Sequence, residues 1–212
     1  KEFQATAPFP VIFSWNSGYW RDRTTDQGIK KRSFILNALR SGASVFLQET
    51  HWALGEEKKV ASEIGANVKS TEVTHGSRGG VAILIPHSSK WKEISTHILI
   101  VGYAIAVLAM HQDGSRPVLF VSVYIDPNRL SEHVSALSQA LLELSPLLPN
   151  AAQLILAGDF NFTPEGTLVG RQDRHELQQA SLQEMCHALK LSELQTPALE
   201  ATWTRVRQGK LI

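Results

Sequence analysis

Asp159 and Asn161 place an acid and an amide two residues apart in the segment Leu156-Ala157-Gly158-Asp159-Phe160-Asn161. Side chains alternate along an extended chain, so these two point the same way and Phe160 turns toward the core. A carboxylate and a carboxamide on one rim suit a hard metal ion, an activated water and a phosphate. Gly-Asp is also ordinary turn chemistry, so the segment gains its weight from four others. Phe13-Ser14-Trp15-Asn16 ends an apolar run that begins near Pro10. Val45-Phe46-Leu47-Gln48-Glu49-Thr50 is an apolar run ending in a carboxylate. Arg78-Gly79-Gly80-Val81-Ala82-Ile83-Leu84-Ile85 and Val121-Ser122-Val123-Tyr124-Ile125-Asp126-Pro127-Asn128 follow. Asn16, Glu49, Tyr124, Asp159 and Asn161 all fall at or just past the ends of apolar strands, a shared position that groups them.

In order, Trp-Asn, Leu-Gln-Glu-Thr, Arg-Gly-Gly-Val-Ala-Ile, Val-Tyr-x-x-Pro-Asn and Gly-Asp-Phe-Asn resemble the endonuclease/exonuclease/phosphatase superfamily. Their wording is most similar to the apurinic-endonuclease-like endonuclease domains of non-LTR retrotransposons. The resemblance runs from about Val11 to Trp203, nearly the whole chain. It implies cleavage of a phosphodiester, which requires a neutralised phosphate, an aimed water and a stabilised leaving oxygen. Mg²⁺ (or Mn²⁺) is the expected cofactor, because one or two carboxylates suffice to hold an ion that keeps several waters. Glu49 is the expected metal ligand, with Asn16 as a neutral donor beside it. Asp159 orients or deprotonates the water, Asn161 fixes the nucleophile or phosphate, and Tyr124 donates its phenol hydrogen to a phosphoryl oxygen. Arg78, Trp20 and Arg21 are the expected substrate-binding residues, on a basic and aromatic rim that meets DNA.

Each assignment has a plainer rival. Glu49 is also readable as a solvated rim residue, Tyr124 as a core aromatic, and Asn16 as a turn residue before Ser17-Gly18. Arg78 could fix its own loop, and Trp20 could pack locally. Asp126-Pro127-Asn128 reads chiefly as turn chemistry. The eight histidines show no zinc-site spacing. His51 lies two residues past Glu49 and reads as a surface histidine.

Composition agrees with one domain over residues 1–212, with 43% hydrophobic residues to fill a core. Lys and Arg total 21 against 20 Asp and Glu, giving a net charge of +1, which is not the signature of a non-specific nucleic-acid coat. The single Cys186 excludes an internal disulfide and fits a reducing, intracellular compartment, the nucleus if the chain is retroelement-derived. No apolar run is long enough to span a bilayer. The first residue is Lys, which reads as a processed, excised or partial chain.

Strands and helices alternate. Strands are expected at 10–15, 45–49, 67–74, 81–86, 91–101, 104–111, 118–124, 153–157 and 201–205. Helices are expected at 28–40, 55–64, 131–144 and 175–189, the first with Ile29, Phe34, Ile35, Ala38 and Leu39 inward and the third capped by Ser131. Two sets of strands with helices outside both predict an α/β (α+β) fold, a four-layer αββα sandwich of two mixed sheets packed face to face.

The resemblance continues after Thr202-Trp203 with a Ser-Arg-Ile-Asp-type strand and a Ser-Asp-His motif, and neither occurs here. The sandwich is therefore expected to lack its last strands, leaving an edge near Thr204–Ile212 for a protein partner to cover. The 212 residues are expected to have little or no nuclease activity on their own. Three functions stay open: a metal-dependent DNA-nicking endonuclease of a retroelement-type protein, a catalytically dead scaffold or subunit, and a small-molecule or lipid phosphatase.

Overall fold

The structure is a computed structural model, and it describes residues 10–18, 24–73, 79–114, 117–149, 152–161, 180, 182–191, 206–207 and 210–211. Among them the elements run β1 (Ile12–Asn16), α1 (Asp26–Arg40), β2 (Ser44–Gln48), α2 (Glu56–Ile64), β3 (Ala66–Ser70), β4 (Val81–Pro86), β5 (Trp91–Ile100), β6 (Ala104–His111), β7 (Val118–Tyr124), α3 (Leu130–Leu144) and β8 (Gln153–Asp159). A helical turn sequence follows at 182–188, and then the short strands β9 (Val206–Arg207) and β10 (Lys210–Leu211).

The strands form two mixed four-stranded sheets, ordered β1-β2-β4-β3 and β5-β6-β7-β8. Each sheet contains one parallel pair, β1 with β2 and β7 with β8, and its other neighbours run antiparallel. Strand alternation sorts the side chains into layers. Val45, Leu47, Ala82 and Leu84 pack against Ile35, Ala38 and Leu39 of α1 and Val60 of α2. Phe46, Val81, Ile83 and Ile85 turn the other way and meet Ile105, Val107 and Phe120 of the second sheet. Ala104, Ala106, Leu119 and Val121 face outward again, onto Leu130, Leu137 and Leu141 of α3 and onto Met185. This is the expected four-layer sandwich, with helices on both outer faces.

The apolar middle layer contains a polar cluster centred on Gln48. Gln48, 1% exposed, donates to Ser122 Oγ across the sheets at 3.2 Å and to Ser14 Oγ at 3.2 Å. A buried amide left without partners would cost roughly 1–3 kcal/mol, so this bond favours one sheet-to-sheet register over slipped ones.

Several boundaries differ from expectation. The first helix begins at Asp26 because the Thr25 hydroxyl caps it, accepting from Gly28 N at 3.2 Å. Ile29 and Phe34 are exposed rather than inward, and Phe34 instead closes an aromatic group with Phe13 and Trp15 at strand β1. Helix α3 begins one residue early, with Arg129 in the cap position and no side-chain cap, so Ser131 lies within it. The Asp126-Pro127-Asn128 turn delivers the chain there, with Asp126 Oδ1 accepting from Asn128 N at 2.8 Å. Strands β9 and β10 pair with each other and join neither large sheet among the described residues. The expected strand at 201–205 and the start of the helix expected from His175 lie outside the described residues.

Strand β8 does not stop at Gly158 but continues to Asp159. In register it pairs Gly158 with Val123 and Asp159 with Tyr124. A Cβ at position 158 would sit 1.9 Å from the Val123 carbonyl oxygen, so only glycine permits this approach. Gly158→Ala is expected to lower stability by about 2 kcal/mol or more through forced separation of β7 and β8, read as a lower urea midpoint.

Candidate active site

Alternation explains why four strand ends meet. Asn16, Gln48, Tyr124 and Asp159 are the last residues of β1, β2, β7 and β8, the two parallel pairs. Each has the parity of the inward-facing residues on its strand, so each is the terminal inward position at one mouth between the sheets. Asn16 Nδ2 donates to Glu49 Oε1 and to Asp159 Oδ2, both at 2.8 Å. One amide group thereby joins a carboxylate of the first sheet to a carboxylate of the second.

Glu49 follows Gln48 and by simple alternation would face the helices. Its backbone is left-handed instead, with φ 51°, and the turn re-aims the carboxylate at Asn16. A bulky non-glycine residue in this region carries strain of order 1–3 kcal/mol. The surrounding hydrogen bonds hold it. Ser17 N and Oγ both donate to Gln48 O, at 2.7 and 2.8 Å, and Thr50 N donates to Gly80 O at 3.0 Å. Gly79 and Gly80 make that approach possible. A Cβ on Gly80 would stand 2.5 Å from Thr50 Oγ1, and both glycines have positive φ.

Asp159 is fixed on both oxygens, since Oδ1 accepts from Asn161 N at 2.9 Å. Asn161 is left-handed at φ 54° and donates its amide to Ile125 O at 2.7 Å. Its carboxamide nitrogen is thus committed to the β7 end, and Phe160 packs into the outer core as its position requires.

Tyr124 is 8% exposed, at the mouth where Asn16 joins Glu49 to Asp159. Burial raises its pKa well above the ordinary value, and the negative charge of Glu49 pushes it the same way, with Asp126 and Asp159 adding to it. The phenol is therefore a proton donor at neutral pH. Behind it lies the ring of Tyr103, parallel within 9° at 6.2 Å between centroids. His133, 1% exposed, packs on the Tyr103 ring at 4.2 Å between centroids and accepts from Asp126 N through Nδ1 at 3.2 Å. Burial holds its pKa low, assisted by Arg129 and opposed by Asp126 and Glu132. Sequence reading missed Tyr103 and His133. Their signal was weak: a tyrosine after Gly102 in an apolar strand, and a histidine at a buried helical spacing.

His51 is half-buried rather than free on the surface, with Nε2 3.7 Å from Glu49 Oε2. Among the described residues no group of three or more His, Cys, Asp or Glu side chains gathers. The donors that do meet are hard oxygens, suited to a divalent cation that retains water. Glu49 fits that role directly. Asn16 has its Oδ1 turned to Gly18 N at 3.1 Å, so it would face a cation with oxygen only after its amide turned over. Arg78, Trp20 and Arg21, and the Thr202-Trp203 pair, lie outside the described residues.

A face-to-face pair of mixed sheets flanked by helices, with polar groups of both sheets converging at the parallel strand ends, defines a four-layer sandwich with its site at one mouth. Residues 30–209 match the Endonuclease/Exonuclease/phosphatase family, and the chain belongs to it. Solved structures share the fold. The AP endonuclease from Leishmania major aligns with TM-score 0.60 and 16% identity, covering 83% of this chain and 65% of that one. TDP2 of D. rerio, solved with a single-strand DNA product, gives 0.53 and 16%, covering 73% and 61%. ANGEL2, a 2',3'-cyclic phosphatase solved with adenosine-2',3'-vanadate, gives 0.52 and 18%, covering 74% and 55%. The chain thus spans less than two thirds of each of these three. Comparison with curated proteins gives no match. No helix among the described residues is long and apolar enough to cross a membrane.

The raised pKa of Tyr124 has a definite pH consequence. The unfolded phenol ionises near about 10, whereas the folded one keeps its proton above that. Above that pH the unfolded state binds fewer protons, so stability is full below about 10 and falls as pH rises toward the folded pKa. Tyr124→Phe is expected to remove that share of the alkaline slope in urea unfolding between about pH 9 and 11. Identical slopes for both proteins would show that Tyr124 is not held in this way.

Proposed function

We propose that this chain is a metal-dependent phosphodiesterase domain acting on DNA, of the nicking type found in retroelement endonucleases. The observation that carries it is the sharing of the Asn16 amide between Glu49 and Asp159, at 2.8 Å each. It brings two carboxylates to one point, with no lysine or arginine paired to either among the described residues. Family membership supports a divalent cofactor in general terms, and Mg²⁺ or Mn²⁺ suits the oxygen donors. The single-strand DNA bound by TDP2 supports a nucleic-acid substrate. The retroelement assignment rests on the wording of the sequence motifs alone.

In this reading Glu49 holds the cation, with Asn16 beside it. When bound, the cation supplies Lewis-acid stabilisation of charge on phosphate. Asp159, fixed at both oxygens, orients the attacking water and takes its proton. Asn161 fixes Asp159 through its backbone N–H and lines the nucleophile's approach. Tyr124, protonated at neutral pH, donates its phenol hydrogen to a phosphoryl oxygen. The strained Glu49 backbone is already in its working shape, so little reorganisation is left for the moment of reaction. Arg78, Trp20 and Arg21 guide the DNA strand in this proposal, and residues 1–212 act as one domain.

A supercoiled-plasmid nicking assay with enzyme in excess tests the proposal, because the Ser-Asp-His motif of the resemblance does not occur in these 212 residues and the rate is expected to be low. Nicking should require Mg²⁺ or Mn²⁺ and stop with EDTA. Glu49→Ala should slow it by about 100- to 1000-fold. Equal rates for the wild type and Glu49→Ala remove Glu49 from the site. A wild type that binds DNA without cleaving it favours the catalytically dead scaffold instead.

A further inference from the structure

The turn joining β5 to β6, residues 101–103, touches both halves of the site although none of its groups reacts. Gly102 O accepts from Gly80 N at 2.7 Å. Gly79 O and Gly80 O in turn accept from His51 N and Thr50 N, at 3.3 and 3.0 Å, and so frame the left-handed Glu49. The next residue serves the other half. Tyr103 O accepts from Tyr124 N at 2.8 Å, and the Tyr103 ring lies parallel to the Tyr124 ring.

Tyr103 is itself held from several sides. It is 9% exposed, and its N–H donates to Ile100 O at 2.9 Å. His133 packs on its ring. Arg129 lies over it, 6.0 Å from the ring centroid, while pairing with Glu132. A ring this constrained forms a fixed wall. Tyr124 rests on that wall at its ring, at the mouth where Asn16, Glu49 and Asp159 meet.

We propose that Tyr103 is a positioning residue, whose ring and carbonyl hold the Tyr124 phenol in place at the mouth beside Asn16, Glu49 and Asp159. The kinetic part of this inference rests on the phosphodiesterase reading, and the geometric part does not. Loss of the ring leaves Tyr124 free to sink into the vacated space. A displacement of the order of 1 Å at a catalytic group is enough to cost roughly 100-fold in rate. Loss of the hydroxyl alone keeps the wall.

Two measurements test it. Tyrosine Cζ NMR at neutral pH reads the phenol directly. The chain has three tyrosines, so Tyr19→Phe and Tyr124→Phe assign the Tyr124 signal. In the wild type, Glu49→Gln should shift that signal, because the negative charge near the phenol is lost. In Tyr103→Leu the same substitution should produce little further shift, whereas Tyr103→Phe should retain the full response. Tyr103→Met keeps most of the volume without a planar face and makes the same comparison if Tyr103→Leu does not fold. A full response to Glu49→Gln in the Leu or Met background overturns the proposal.

The second measurement is a kinetic cycle. Tyr103→Leu should lower kcat about 10- to 100-fold with KM little changed, and Tyr103→Phe should restore it. The double variant Tyr103→Leu/Tyr124→Phe should be no slower than Tyr124→Phe alone, because the first residue acts through the second. Additive losses overturn the proposal. A wild type without metal-dependent nicking would sink the phosphodiesterase reading, and the NMR comparison would still decide the role of Tyr103.

Discussion

One amide nitrogen, Nδ2 of Asn16, carries two carboxylates that belong to different sheets. Like charges brought this close repel, and the shared donor offsets part of that repulsion through charge-assisted bonds. The contact survives only if both sheets keep their register and their spacing. Gln48 and Ser122 fix the first across the middle layer, and the interlocked Phe46 and Phe120 rings, 5.8 Å apart, help to fix the second. The packing of the sandwich and the geometry of its mouth are therefore one problem rather than two.

The site also shows where the fold departs from its own regularity. Strand alternation alone delivers Asn16, Tyr124 and Asp159, and it would send Glu49 to the wrong side. The positive φ of Glu49 is the exception that completes the group. The glycine pair at 79 and 80 exists to let another backbone come close to that exception. Local strain and close backbone approach occur together here, as they do where a site must be shaped before its ligand arrives.

Most of the fold was legible because hydrophobic alternation is a strong signal. Val118–Tyr124 was read to the residue, and the two helices packed on the first sheet were found from spacing and stop signals. Errors came where tertiary context overrides a local rule. Ser131 has the chemistry of a cap, yet the Asp126-Pro127-Asn128 turn starts the helix before it. Ile29 and Phe34 have core spacing, yet both are exposed, and Phe34 packs on Phe13 and Trp15 of β1, the first strand of its sheet order. Among site residues, strand-end position was sufficient to group five polar side chains. It could not reveal Tyr103 and His133, because an aromatic that supports another aromatic looks like any core residue in one dimension. Nor could it reveal which atom of Asn16 faces the carboxylates.

The bond between Asn16 and Asp159 spans 143 positions of the chain. Contacts of such separation wait on nearly all intervening structure, since the loop they close is long and each sheet must first form. During synthesis, the first acid leaves the ribosome long before the second exists to meet it. Partly folded intermediates therefore have no assembled centre, and whatever chemistry this mouth performs is confined to molecules that have finished folding.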